Sequence, residues 1–282
     1  KYTLRIPEAF HQYIDNVSIE QWEKGEVELW GKLLNGEGDI TEHYYSLLKE
    51  IYAVFAADAI VYWGSNGAVK KFTNEYNVQR IAMELGCSRP PHLNSIVLDP
   101  TGVNGDSIHS QLSFFDIKKL VDEVSDISST EFQAYSNVID NQLSLVTRYD
   151  ASLEELVKQR EGYDKVAFVP LQLPDDANLI RFSPYASMLE FLEEVIPTLC
   201  DNNIFVIVKD HPAAYSRVGG KEASEKAAAY LSQFNNVVFF DCTKRLNNLS
   251  LINLADIVIT VNSSFGFEAT LYDKVVIVMG EA

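Results

Sequence analysis

Three separated groups of residues carry side chains suited to holding an anionic ligand at the ends of strands. The first is the acidic pair Asp175-Asp176, in the turn-like stretch Pro174-Asp-Asp-Ala-Asn178 that follows the apolar run Val166–Leu173. Carboxylates just past the carboxyl end of a buried strand sit where open α/β sheets hold their ligands. Their ordinary structural reading is to cap the helix expected after Pro184, or to tie down the loop. The second group is Lys209-Asp210-His211-Pro212, directly after the apolar strand Ile204–Val208. An imidazole at that point can donate to a phosphate oxygen, and Pro212 stiffens the turn that aims it. A histidine that only decorates a loop is the commoner case, but of the five histidines only His211 follows a strand and opens a turn. The third group is Val261-Asn262-Ser263-Ser264-Phe-Gly266-Phe-Glu268-Ala269. Two hydroxyls at a strand-to-helix junction add Ser donors to the backbone N–H groups of a helix start, a combination suited to anions. Glu268 then receives ribose hydroxyls or complements the helix dipole, and the serine alone would be an ordinary N-cap.

Two polar segments of the first half are weaker candidates. In Glu84-Leu-Gly-Cys-Ser-Arg89-Pro90, Arg89 can pair with a ligand carboxylate, and Glu84 is either a base or the structural partner of Arg89. The loop Pro100-Thr-Gly-Val-Asn-Gly105, continuing to Ser107, closes a short strand. There is no G-x-G-x-x-G and no Walker sequence, which weakens dinucleotide and P-loop readings. No cysteine or histidine cluster has metal-ligand spacing, so the chemistry is expected to run without a metal or a cofactor.

Bringing three loops to one rim requires parallel strands joined by helices. Residues 1–50 have a helical pattern, with Thr41 as N-cap of a helix reaching Tyr52. Ala59–Trp63 reads as a strand, Phe72–Leu85 as a helix ended by Gly86, and Ser95–Asp99 as a strand, implying a parallel sheet. Phe114–Arg160 is helical and polar, and its last part connects two domains. From Val166 the alternation is regular. Strands are expected at Val166–Val169, Ile204–Val208, Val237–Phe240, Ile257–Val261 and Val275–Met279. Helices are expected near Tyr185–Asp201, Glu222–Phe234, Leu246–Ala255 and Phe265–Tyr272. The division is thus 1–163 and 164–282, two Rossmann-like halves.

The 282 residues, 47% hydrophobic and 22% charged, describe a globular protein with room for two domains. A net charge of −17 argues against a nucleic-acid partner and against broad contact with anionic lipid. Three scattered cysteines, Cys87, Cys200 and Cys242, make no zinc or disulfide framework and fit a cytoplasmic setting. Ile51–Trp63, the longest apolar stretch, is too short to span a bilayer, and no signal peptide is visible. The chain starts at Lys1 and stops just after an apolar strand, which suggests a fragment of a longer protein.

Together, E-x-G-x-x-R-P at 84–90, GVNGDS at 102–107, PLQLPDD at 170–176, KDHP at 209–212 and NSSFGFEA at 262–269 resemble the bacterial capsule polysaccharide synthesis family. That family includes retaining β-Kdo transferases of capsule linkers and the related Kdo-transferase domains of O-antigen synthases. Five motifs in order, over about residues 80–282, are more specific than any one alone. The resemblance implies an α/β, GT-B-like fold in which two Rossmann-like domains with mainly parallel sheets face a shared cleft. The first domain takes the acceptor and the second the nucleotide sugar. It implies CMP-β-Kdo as donor substrate, a glycan or glycolipid acceptor, and a place in capsule or lipopolysaccharide synthesis. Membrane association at the inner face of the inner membrane would come from segments outside this sequence or from partner proteins. Carried over, the nucleophile is Asp176, with Asp175 as its alternative because the acidic loop varies among family members, and Glu84 completes the catalytic set. Donor contacts fall on Gln172, Arg89, Lys209, His211, Pro212, Asn262, Ser263, Ser264, Gly266 and Glu268. Two rivals share these residues: an inverting transferase or epimerase using a nucleoside-diphosphate sugar, and a non-catalytic nucleotide- or glycan-binding domain.

Overall fold

The computed structural model describes residues 5–24, 27–87, 95–124, 151–244 and 246–281. Its first half packs helices α1 (Glu8–Lys24), α2 (Glu28–Asn35), α3 (Gly38–Val54) and α4 (Gly67–Tyr76) beside strands β1 (Ala59–Trp63), β2 (Gln79–Leu85) and β3 (Ile96–Asp99). Leu33, Ile40, Tyr45, Ala68, Phe72 and Val78 form its core. Thr41 does not cap α3, which starts earlier, at Gly38. Its hydroxyl donates back to the Glu37 carbonyl, 2.7 Å away, from inside the first turn.

The expected helix over Phe72–Leu85 divides in two. Asn77 takes the left-handed conformation (φ 53°) and stops α4 at Tyr76, so the remainder pairs as β2. Gly86 therefore ends no helix. A Cβ there would lie 2.0 Å from Ser95 Oγ, so this glycine allows β2 and β3 to close together. The sheet is also not wholly parallel: β2 pairs β1 in parallel but β3 antiparallel. Among the described residues nothing covers one face of this sheet, where Val61, Trp63, Leu85, Ile96 and Leu98 are exposed.

After α5 (Phe114–Val124) and α6 (Ala151–Gln159), the second half alternates as expected. It runs β4 (Lys165–Pro170), α7 (Ala177–Arg181), α8 (Met188–Asp201), β5 (Ile204–Lys209), α9 (Gly220–Leu231), β6 (Val237–Phe240), α10 (Asn248–Leu254), β7 (Ile257–Thr260), α11 (Ser264–Thr270) and β8 (Val275–Val278). The central strands β4, β5 and β7 are apolar on both faces because both are covered, while the edge strand β8 exposes Val275, Ile277 and Val278. Ala167, Val169, Val206, Val208 and Ile259 point to α8 and α9, and Val166, Phe168, Phe205, Ile207 and Val258 to α6, α10 and α11. All pairings are parallel in the order β6-β5-β4-β7-β8, so the winding reverses between β4 and β7.

The halves meet at the loop after β3. Buried Asp99 organises it: Oδ1 accepts from the Thr101 N–H and hydroxyl and the Gly102 N–H, and Oδ2 from the Ile108 N–H at 2.9 Å. Burial alone would raise the Asp99 pKa, but these donors outweigh it and the net shift is downward. The loop then offers Asp106 to Arg181 as a forked pair, 2.5 and 3.3 Å long. Gly105 lies against Phe182, where a Cβ would stand 2.4 Å from the ring. Gly105→Ala should therefore push Phe182 out of its seat and cost about 1–3 kcal/mol, read by urea denaturation. An unchanged midpoint would show that the halves do not rest on this contact.

Candidate active site

The winding reverses between β4 and β7, and the carboxyl ends of strands beside such a reversal are where open α/β sheets bind ligands in a crevice. Three expected loops surround it: residues 171–176 after β4, 209–213 after β5, and 261–264 after β7. Gln172 ties two of them. Its Nε2 donates to Asn262 Oδ1 at 2.8 Å, and its Oε1 accepts the Asn262 N–H at 3.2 Å. Asn262 Nδ2 in turn donates to the carbonyls of Asn178 and Phe182, both at 3.1 Å. Both amides are buried, so these bonds form a dry strut under the crevice.

Asp176 stands above the strut. It is the N-cap of α7, a short helix that the sequence reading did not separate from the helix after Pro184: Oδ1 accepts the Asn178 N–H at 2.9 Å. Oδ2 accepts from Gln172 Nε2 at 3.3 Å. The structural and chemical readings of this residue coexist, because each carboxylate oxygen keeps acceptor capacity beyond these bonds. Asp175 has different partners. Its Oδ2 receives Arg217 Nε and Nη2, each at 2.7 Å, and its backbone carbonyl receives Trp30 Nε1 of the first half at 3.1 Å.

His211 is half-buried, and its Nδ1 accepts the Ala213 N–H at 3.1 Å, which puts the proton of the neutral ring on Nε2. Burial lowers its pKa, while Asp176 and Asp210 oppose that shift and Lys209 and Arg217 add to it. The site thus presents a neutral imidazole with Nε2–H as a donor close to the Asp176 carboxylate. Pro212 is exposed beside it. Lys209 is buried and lines a small recess with Leu171, His211 and Asn248; burial lowers its pKa, against the pull of Asp210 and Cys242.

Ser263 caps α11, its Oγ accepting the Phe265 N–H at 3.3 Å, and Ser264 begins that helix. Gly266 is buried where a Cβ would lie 3.2 Å from Thr260 Cγ2, so it lets α11 close on β7 and β8. Glu268 is not in the first turn of α11 but in the second, buried, and so is poorly placed to complement the helix dipole.

Of the first-half candidates, Glu84 is among the described residues. Glu84 is not at the end of a helix but within β2, on the face of Ala82 and Asp99, and its Oε1 accepts the Leu85 N–H at 2.8 Å. No hydrogen bond or ion pair joins it to the Asp176 loop among the described residues. Arg89 lies outside the described residues. The sequence reading missed Trp30, Asp106, Arg181 and Arg217. The available signal for Arg217 was weak: a lone cation before Gly219-Gly220, in the loop that His211 opens. Among the described residues no group of three or more His, Cys, Asp or Glu is arranged to hold a metal, and no helix is long and apolar enough to cross a membrane.

Comparison with known proteins agrees with the motif set. The family model described as capsule polysaccharide biosynthesis protein matches residues 132–282. Among solved structures, the β-Kdo 2,7 transferase of Thermosulfurimonas dismutans KpsC aligns with a TM-score of 0.51 and 21% identity, over 83% of this chain and 69% of that one. The β-Kdo 2,4 transferase of the same KpsC gives 0.47 and 18%, over 79% and 69%. The UDP-GlcNAc 2-epimerase of Neisseria meningitidis gives 0.39 and 15%, over 85% and 64%. The first likeness shows a shared fold and, with the five-stranded parallel sheet, bears out the GT-B-like α/β class. A search of curated proteins found no match.

The buried imidazole has a measurable consequence. With a folded pKa below its unfolded value, His211 carries no penalty above that unfolded value, near 6.5, and costs stability as pH falls through the folded pKa. Carbon-detected NMR of the histidine rings should show His211 titrating below the ordinary range. His211→Gln should remove that part of the acid loss of stability. A normal or raised His211 midpoint would contradict the buried neutral ring.

Proposed function

The chain belongs to the capsule polysaccharide biosynthesis family, and from that premise we propose that it is a retaining glycosyltransferase moving β-Kdo from CMP-β-Kdo to a glycan or glycolipid acceptor. The observation that carries this reading is the meeting of an ionisable carboxylate, a neutral imidazole donor and a serine-bearing helix start at one reversal of the sheet. The likeness to the KpsC β-Kdo 2,7 transferase supports Kdo as the transferred sugar.

The chemistry follows from what each group can do. Asp176 attacks the anomeric carbon from the face opposite the phosphate, forming a glycosyl ester as the bond to CMP breaks. Charge gathers on the departing phosphate, where His211 Nε2–H and the Ser263 and Ser264 hydroxyls donate to it. Glu268 holds the ribose, and Gly266 keeps α11 close enough to deliver these contacts. An acceptor hydroxyl then attacks the ester from the face that CMP vacated, and two inversions leave the configuration retained. Glu84, on the first-half sheet, is the base for that hydroxyl. Residues 164–282 bind the donor and 1–163 the acceptor. The reaction needs no metal or cofactor, since the donor already carries a good leaving group.

Donor identity is checked by melting temperature. CMP at a hundredfold excess over its Kd should stabilise the chain by about 2.7 kcal/mol, UDP should do so less, and His211→Ala should lose most of the shift. Equal stabilisation by UDP would refute the donor. The mechanism is checked by intact-protein mass spectrometry after rapid mixing with CMP-Kdo. The unsubstituted chain should gain one Kdo, and Asp176→Asn should gain none while still binding CMP. An inverted product with no adduct would exclude double displacement.

A further inference from the structure

The anionic sugar of this donor requires a cation that is accessible and has donors to give. Around the crevice the described candidates separate clearly. Arg181 forks onto Asp106 at the junction of the halves, and its side chain is largely buried. Lys209 is 5% exposed and faces a recess too small for a sugar. Arg217 is different. Its side chain is 48% exposed, and only Nε and Nη2 are engaged, both on Asp175 Oδ2. That carboxylate is itself 13% exposed and fixed through its backbone by Trp30. A guanidinium gripped along one edge keeps its other edge outward at a set angle, which suits it to a second planar anion.

Position supplies the remaining argument. Arg217 is bonded to the chain neighbour of Asp176, and its charge also reaches His211, so it stands beside both. In a 2-ulosonic acid the carboxylate is bonded to the anomeric carbon itself, so a cation beside the nucleophile meets that group first. Asp175 also lowers the local field: paired with Arg217 it no longer repels an incoming anion as a bare neighbour of Asp176 would.

We infer that Arg217 recognises the carboxylate on the anomeric carbon of the donor, and that Asp175 is a positioning residue that holds Arg217 rather than the attacking group. The inference rests on the proposed donor and deepens it, because it names the feature that separates a ulosonic acid from a neutral sugar.

Calorimetric titration of the whole chain with CMP and with CMP-Kdo tests it, beside initial rates. Arg217→Ala should weaken CMP-Kdo binding by about tenfold to a hundredfold, and leave CMP binding within about twofold. Arg217→Lys, which keeps the charge without the side-on grip, should fall between. Asp175→Asn should act in the same direction, and the double variant should be little worse than either single one. It should still form the Kdo adduct on Asp176. Melting temperatures of the variants separate these effects from unfolding. Equal losses for CMP and CMP-Kdo would move Arg217 to the phosphate and overturn the inference, as would no loss or an adduct on Asp175. If the unsubstituted chain binds neither ligand, the donor assignment itself fails, a result distinct from these.

Discussion

The buried amide pair between Gln172 and Asn262 is the constraint on which the site depends. Parallel strands diverge where the winding direction changes, and the loops leaving β4 and β7 would be free to part. Two hydrogen bonds across that gap, with Asn262 also holding the Asn178 and Phe182 carbonyls, fix the floor of the crevice. In a buried setting each partner would be costly to leave alone, so the amides enforce each other's position. The third contact of Gln172, to Asp176 Oδ2, passes that order to the Asp176 carboxylate. Residues read from the sequence as donor contacts thus also set the geometry in which any donor would be bound.

A second set of contacts joins the halves, and it converges on the same loop. Trp30 reaches the Asp175 carbonyl, Asp106 grips Arg181 at the end of α7, and Gly105 admits the Phe182 ring. The helix that Asp176 caps is therefore held from both sides: by Asn262 below and by the first half along its length. The GVNGDS segment resembled part of a ligand site. In the structure Asp99 shapes it into a shelf for α7, so its visible work is mechanical.

What could be read from the sequence follows physical rules. The second half was legible because its strands are doubly buried, giving short apolar runs with β-branched residues, and because its helices begin and end at recognisable caps. His211 and Ser263 were legible since their loops follow such strands directly. The first half was less so. Gln79–Leu85 looked helical because Gln, Arg, Met, Glu and Leu are good helix formers, and only the left-handed turn at Asn77 sends the chain back as a strand. The short α7 was hidden by its length of five residues. The partners of Asp175 were beyond reach because Trp30 and Arg217 are 145 and 42 positions away, and pairing at such separations leaves no local trace.

The uneven covering of the two sheets has a consequence for how the molecule opens. The central strands of the second-half sheet are sealed on both faces, with Phe168, Phe205, Ile207 and Val208 fully or almost fully shielded, whereas among the described residues the first-half sheet is covered on one face only. Backbone amides in β4 and β5 should therefore exchange with deuterium only through the largest openings, and those of β1 to β3 through smaller, more frequent ones. The halves are then separate cooperative units coupled through the shelf at α7, and heating would release the first half before the second lost its shape.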